Sequence, residues 1–214
     1  MATDSGKTEL DYAISLKMVL ELREIKVSEI TGAIIGSVVP PVTSLMREAI
    51  RKVTGQEALV VNVDMNIGLE VLMDNPSSVG TDLIVGAVAG INRYPVPLIL
   101  IDMGTATTIC VVNENKQYIG GMILPGIGVS MNSLTSRTAQ LPRISLDPPK
   151  RLIGKNTVEC MQSGALYGNA SCIDGMVDRI QEELGQEATI VATGGLAKRI
   201  IPLCRHRIEL DDEL

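Results

Sequence analysis

The most informative stretch of the sequence is Leu98-Ile-Leu-Ile-Asp-Met-Gly-Thr-Ala-Thr-Thr-Ile-Cys-Val-Val112, because it joins two apolar runs through one acid, one glycine and several small residues. β-Branched and aliphatic residues dominate both runs, which predicts two buried strands. Gly104 allows the chain to turn tightly between them. The pattern therefore predicts a hairpin whose turn is either an ordinary tight turn or a loop that binds phosphate.

Asp102 ends the first of these runs, so we expect its carboxylate to point at whatever the turn holds. A carboxylate at this position suits a cation that accompanies phosphate. Thr105, Thr107 and Thr108 offer hydroxyl and amide donors to phosphate oxygens. These residue types favour the phosphate-binding alternative without excluding the plain turn.

The composition predicts a soluble globular protein. The chain has 214 residues, of which 45% are hydrophobic, enough for one sizeable domain or two small ones. No apolar run is long enough for a membrane helix, and the first residues do not form a signal sequence, so we expect a cytoplasmic protein without a membrane partner. The net charge of −6 and the four tyrosines as sole aromatic residues argue against a nucleic-acid partner.

The four cysteines are scattered and have neither metal-ligand nor disulfide spacing. We expect reduced, mostly buried thiols at these positions, which are Cys110, Cys160, Cys172 and Cys204.

Helical and strand patterns alternate along the chain, which predicts an α/β sheet. The predicted elements are a helix after a capping box at Thr8 to Asp11, a buried strand at 32–39, a helix closed by Gly55, a strand at 58–63, a helix near 79–88, strands near 98–102, 107–112 and 118–123, a long helix at 157–184 and a closing strand at 188–192. Pro95 and Pro97 suggest a boundary between an N-terminal half, 1–95, and a C-terminal half, 96–214.

Three further clusters could carry chemistry. The four glycines between Gly120 and Gly128 indicate close backbone approach to a ligand or to another backbone, or a plain turn. The turn Thr193-Gly194-Gly195 follows an apolar strand and opens a helix, a geometry that can seat a nucleotide. In Gly80-Thr81-Asp82 the acid is either a general base toward a substrate hydroxyl or a residue that favours the helix dipole.

Several ordered motifs resemble the type III pantothenate kinases. The motifs are Ser37-Val-Val-Pro-Pro41, Asp74-Asn-Pro76, Val79-Gly-Thr-Asp82, Asp102-Met-Gly-Thr-Ala-Thr-Thr108, Gly120-Gly-Met-Ile-Leu-Pro-Gly126, Leu141-Pro142, Ile153-Gly-Lys-Asn-Thr157, Gln162-Ser-Gly164 and Ala192-Thr-Gly-Gly195. The resemblance runs from Thr3 onward and implies the acetate and sugar kinase, Hsp70 and actin superfamily, in which two RNase H-like halves enclose a nucleotide cleft. It also implies ATP-dependent phosphorylation of pantothenate to 4'-phosphopantothenate, the first step of coenzyme A biosynthesis.

The resemblance implies roles for individual residues. Asp82 looks like the general base, and the substrate-binding residues would be Gly80, Thr81, Asp82 and Thr157. Asp102 looks like the ligand of a monovalent cation, K⁺ or NH₄⁺. Nucleotide contacts would come from Gly104, Thr105, Gly194 and Gly195. The family further implies ATP with Mg²⁺ and a homodimer.

The sequence also departs from the family pattern. The family begins with a hairpin that carries a first phosphate loop, and this chain starts after it, so we expect the first half to be incomplete. Leu83 and Met73 stand where the family usually has an Arg and a Tyr. Two hypotheses follow: a kinase that lacks its first loop in this chain, or a catalytically degenerate paralogue that binds a ligand or a partner kinase without transferring phosphate.

Overall fold

The computed structural model describes Asp4, residues 6–62, Met65 and residues 67–214. Thr3 and Val63, which the sequence-based predictions include, lie outside this part of the chain. The chain forms two compact units, the first made of Met1–Ile67 and Asn75–Val85, the second of Gly68–Asp74 and Gly86–Leu214. The division into halves 1–95 and 96–214 stays a prediction.

Unit 1 alternates helices and short strands, as predicted. Its elements are α1 (Glu9–Leu22), β1 (Ala33–Ile35), α2 (Pro40–Thr54), β2 (Ala58–Val60) and the first residues of α3 (Thr81–Arg93). The predicted capping box begins α1, since the Thr8 side chain accepts from the backbone N–H of Asp11 and the Asp11 side chain accepts from that of Thr8. The buried α1 residues Tyr12 and Ala13 pack against α2.

The predicted buried strand at 32–39 is wrong in its length and burial. β1 has three residues and pairs in parallel with β2, and Ile34 is 62% exposed. The strand ends because the Ser37 hydroxyl accepts from the backbone N–H of Val39 at 3.1 Å. Such a side-chain turn competes with a sheet ladder and takes the chain from the strand into α2.

Unit 2 contains a six-stranded sheet. Its strands are β3 (Glu70–Val71), β4 (Leu98–Met103), β5 (Ala106–Val112), β6 (Gln117–Pro125), β7 (Thr189–Thr193) and β8 (Glu209–Leu210), in the spatial order β3-β6-β5-β4-β7-β8. β5 is antiparallel to β4 and β6, whereas β4, β7 and β8 are parallel. If β4 is numbered as strand 1, the five strands from β6 to β8 have the spatial order 3-2-1-4-5, and strand 2, which is β5, runs antiparallel to the others. This is the arrangement of an RNase H-like half.

The core of unit 2 lies between this sheet and α5 (Thr157–Leu184), whose predicted bounds are confirmed. α4 (Ile127–Ser136) and the short α6 (Ala197–Ile200) complete the unit. The prediction that β7 is the last strand of the sheet is wrong, because β8 follows it in sequence and pairs with it in parallel. Two paired residues with exposed side chains leave too little periodicity for β8 to be predicted.

The predicted close approach of backbone at the glycine cluster is confirmed at two positions. A Cβ at Gly121 would overlap the carbonyl of Ile109, and one at Gly126 would overlap the carbonyl of Thr105. Glycine at these positions therefore lets β6 and the turn after it pack against the β4–β5 hairpin.

Candidate active site

Asp102 lies near the carboxyl end of β4, with an exposed side chain between the buried residues Ile101 and Met103. Its register partners are Thr108 on β5 and Thr193 on β7. The side chain thus stands where the parallel strands β4 and β7 end. Ligands of open α/β sheets bind outside the carboxyl ends of the strands, so this edge is a candidate site.

Gly194 brings the turn after β7 directly against Asp102. Its φ is +95°, and a Cβ there would lie 2.7 Å from Oδ1 of Asp102 and 2.7 Å from the backbone nitrogen of Met103. Both the left-handed backbone and the missing space require glycine. The predicted nucleotide turn and the predicted cation carboxylate are therefore neighbours.

A cavity of about 400 Å³ opens at this edge of the sheet. The described residues that line it are Asp102, Thr193, Gly194, Gly195, Lys198, Asp212 and Leu214. Its size falls within the range of about 300–1,000 Å³ that is typical of small-molecule sites. A Cβ at Gly195 would meet nothing within 4 Å, so a ligand could approach the backbone closely on this side. These residues fit phosphate oxygens held by backbone, with a cation beside Asp102.

Gly104 and Thr105 are not among the residues that line this cavity. The backbone N–H of Gly104 donates to the carbonyl of Ala106 at 3.0 Å, and the carbonyl of Thr105 accepts from Gly126 at 3.1 Å. The main chain of Gly104 thus closes the hairpin turn, and that of Thr105 ties this turn to the segment after β6. Their nucleotide contacts stay a prediction.

Sequence reasoning missed Lys198 and Asp212, which line the cavity and form an ion pair between Nζ and Oδ2. A signal for Lys198 was present, because it lies one turn after the double glycine between the apolar positions Ala197 and Ile200. No comparable pattern marks Asp212, whose position depends on the pairing of β8 with β7.

Asp82 lies in the first turn of α3 in unit 1, where its exposed carboxylate lines a cavity of about 260 Å³. The other lining residues lie at the end of β1, in the segment that follows it and in α2: Ile35, Gly36, Ser37, Val38, Val39, Val42, Thr43 and Met46. Oδ1 accepts from the backbone N–H of Leu83 at 2.9 Å. Oδ2 accepts no hydrogen bond from the described residues, so it is available to a substrate hydroxyl.

Thr81 precedes Asp82 and has a buried hydroxyl with no hydrogen-bond partner among the described residues. A buried hydroxyl without a partner costs about 1–3 kcal/mol of desolvation. Such atoms in folded proteins call for an explanation, and a bound ligand is one. The observation fits the predicted role of Thr81 in binding substrate.

Thr157 is the first residue of α5, after the N-cap Asn156, whose side chain accepts from the backbone N–H of Glu159 at 2.9 Å. It lines a cavity of about 940 Å³ in unit 2, between α4 and α5. The cavity wall is mostly apolar, with Ile127, Met131 and Leu134 from α4. Thr157 thus belongs to unit 2, whereas Gly80, Thr81 and Asp82 belong to unit 1.

The expectation of mostly buried thiols is wrong for two of the four cysteines, because Cys160 and Cys172 are exposed on α5. Burial raises the pKa of Cys110 to about 12, and the charge of Asp102 adds to this. Burial also raises the pKa of Cys204 to about 12. These two thiols therefore stay protonated near neutral pH.

Asp174 is a further residue that sequence reasoning missed. Although it is a carboxylate on the buried face of α5, it is satisfied by the backbone N–H groups of Arg205, at 2.9 and 3.0 Å, and of His206, at 3.2 Å. The interaction ties the segment between α6 and β8 to α5. An acid between the apolar positions Ile173 and Val177 was the available signal.

The described residues contain no group of three or more His, Cys, Asp or Glu side chains placed to hold a metal ion. No described helix is long and apolar enough to cross a bilayer.

The RNase H-like sheet, with a carboxylate and a double-glycine turn at the ends of its central strands, has the architecture of the actin-like class of α/β proteins. Comparison with known proteins then gives the family. A family model described as type III pantothenate kinase matches residues 1–179. A type III pantothenate kinase of Bacillus cytotoxicus is 47% identical over 200 residues, which is 94% of this chain and 76% of that protein. The chain belongs to the type III pantothenate kinase family.

Solved structures are more distantly similar. A conserved protein of Campylobacter jejuni described as a Baf family transcriptional activator is 19% identical, with a TM-score of 0.47, over 72% of this chain and 66% of that chain. The ethanolamine utilization protein EutJ of Carboxydothermus hydrogenoformans is 13% identical, with a TM-score of 0.46, over 97% of this chain and 73% of that chain.

Proposed function

We propose that this chain phosphorylates pantothenate to 4'-phosphopantothenate with ATP, as the first step of coenzyme A biosynthesis. Family membership supplies the reaction. One structural observation carries its assignment to residues: the carboxylate of Asp82 lines a cavity, with Oδ2 free of hydrogen bonds from the described residues. A general base needs such an oxygen within reach of the proton that it removes.

In the proposed step, Asp82 takes the proton of the primary hydroxyl of pantothenate while that oxygen bonds to the γ-phosphorus. The bond from the γ-phosphorus to the β–γ bridging oxygen breaks, and ADP leaves. Positioning and charge stabilisation dominate phosphoryl transfer. Asp82 therefore acts as much by orienting the hydroxyl as by its basicity, and its bond from Leu83 holds the carboxylate in place.

We assign binding of the ATP phosphates to the cavity at the end of β4 and β7. Backbone at Gly194 and Gly195 would approach the phosphates, and Gly104 and Thr105 would complete the nucleotide contacts. Asp102 would hold a monovalent cation, K⁺ or NH₄⁺, which together with Mg²⁺ offsets the charge of ATP. The carboxylate of Asp102 lines this cavity, which supports a cation as part of the bound ligand.

Gly80, Thr81 and Thr157 are proposed to bind pantothenate. The hydroxyl of Thr81, which has no hydrogen-bond partner among the described residues, supports this assignment. The family pattern further supports a cytoplasmic homodimer. Gel filtration with light scattering tests the dimer, and a monomeric mass contradicts it.

A coupled assay of ADP release tests the reaction, with pantothenate, Mg-ATP and K⁺. We expect pantothenate-dependent turnover that falls by about 10²- to 10⁴-fold in Asp82→Asn, the usual contribution of a positioned general base. Glu57→Gln is the matched control, because it removes the same charge from an exposed side chain of unit 1 and should keep the wild-type rate. Turnover of Asp82→Asn at the wild-type rate contradicts the assignment of Asp82. Absence of turnover in the wild type, with pantothenate still bound, contradicts the reaction.

A further inference from the structure

The cavity at the end of β4 and β7 contains one cation among its described lining residues, Lys198. The neighbours of Lys198 on α6 fix where it points. Ala197 and Ile200 are fully buried in the core of unit 2, so the helix cannot rotate without losing this packing. The next cation, Arg199, is directed elsewhere, since its Nη1 donates to the carbonyl of Leu146 at 2.8 Å.

The ammonium of Lys198 is paired with the carboxylate of Asp212, which lines the same cavity. Both side chains are well exposed, 67% for Lys198 and 54% for Asp212. An exposed lysine–carboxylate pair is weakly held, because water screens the charges and two flexible side chains must be ordered. The pair can therefore open at little cost when a stronger anion arrives.

We propose that Lys198 binds the phosphates of the nucleotide and that Asp212 competes with them for its ammonium. This inference rests on the proposed use of the cavity for ATP. A polyphosphate carries more charge than one carboxylate and offers several oxygens, so Lys198 exchanges Asp212 for phosphate when the nucleotide binds. Asp212 lowers nucleotide affinity by holding Lys198 and by repelling the phosphates.

We then expect substitutions of Lys198 and of Asp212 to change nucleotide affinity in opposite directions. An ion pair that only stabilises the fold would not give this result. Removing the lysine removes a phosphate contact, whereas removing the carboxylate frees the lysine and relieves repulsion. If the pair only stabilised the fold, removing either residue would change nucleotide affinity in the same direction.

The test measures binding of Mg-ADP and of adenosine to the purified chain by calorimetry, without turnover. We expect Lys198→Met to weaken Mg-ADP about tenfold, the effect of one charge-assisted hydrogen bond. Adenosine affinity should stay unchanged, since adenosine has no phosphate. Asp212→Asn should strengthen Mg-ADP by about two- to fivefold. Lys150→Met, the same substitution at an exposed lysine of unit 2 outside this cavity, is the matched control and should bind as the wild type does.

Three results overturn the proposal: no binding of Mg-ADP by the wild type, equal losses of Mg-ADP and adenosine affinity in Lys198→Met, or changes of the same sign in the two variants. The pantothenate assay, run in parallel, judges the proposed function separately. If the wild type turns over pantothenate but Lys198→Met binds Mg-ADP as the wild type does, only the proposed role of Lys198 is wrong. If the variants show the expected Mg-ADP affinities but the wild type does not turn over pantothenate, the role of Lys198 is supported and only the proposed reaction is contradicted.

Discussion

A Cβ at Gly194 would lie 2.7 Å from Oδ1 of Asp102, so the turn after β7 and the carboxylate at the end of β4 pack without room for a methyl group. Gly194→Ala must both overlap this oxygen and adopt a φ of +95°. Strain and overpacking each cost about 1–3 kcal/mol, so we expect a clear loss of stability in urea unfolding.

Gly195→Ala is the matched control for this substitution. A Cβ there would meet nothing within 4 Å, so its unfolding free energy should stay within about 0.5 kcal/mol of the wild type. Equal stability of the two variants would show that the close approach at Gly194 does not constrain the fold.

Thr81→Val should separate stability from substrate binding. Valine has nearly the shape of threonine and removes a buried hydroxyl that has no partner in the part of the chain that the structure describes. The variant should therefore be as stable as the wild type or more stable. If this hydroxyl binds pantothenate, the KM for pantothenate should rise while that for ATP stays constant. Thr43→Val is the control, because its hydroxyl donates to the carbonyl of Val39 at 3.1 Å, and losing this bond should destabilise. A lower melting temperature for Thr81→Val would contradict an unsatisfied hydroxyl.

Asp174→Asn should destabilise unit 2. The carboxylate accepts three backbone hydrogen bonds from Arg205 and His206, and an amide replaces one accepting oxygen by a donor. The expected loss is about 1–3 kcal/mol in urea unfolding. Asp178→Asn, one helical turn away, removes only an exposed contact with His206 at 2.7 Å and should cost less than about 1 kcal/mol. Similar losses in both variants would contradict the anchoring role of Asp174.

The thiols should fall into two classes in labelling with a disulfide reagent near pH 8. Cys160 and Cys172 are exposed and should react in the native protein. Cys110 and Cys204 should react only after unfolding, because burial raises the pKa of each to about 12 and leaves almost no thiolate. Mass spectrometry of the labelled peptides identifies the sites. Native labelling of Cys110 would show that β5 opens.

The sequence alone determined the elements with long, regular patterns and the family. The bounds of α5, the hairpin of β4 and β5 and the capping box of α1 all follow from local spacing, because each depends on residues close in the chain. The order of motifs from Ser37 to Gly195 identified the family for the same reason, since each motif is read without knowing the fold.

Features that depend on pairing between distant segments become visible in the folded structure alone. β1 stops at Ile35 because the turn at Ser37 takes the chain away from the sheet, although the apolar run continues to Val39. β8 forms because its backbone pairs with the edge of β7. This pairing places Asp212 next to Lys198 and at the cavity beside Asp102. Local spacing cannot encode a contact whose energy arises only when the sheet has formed, so these residues could not be predicted from sequence.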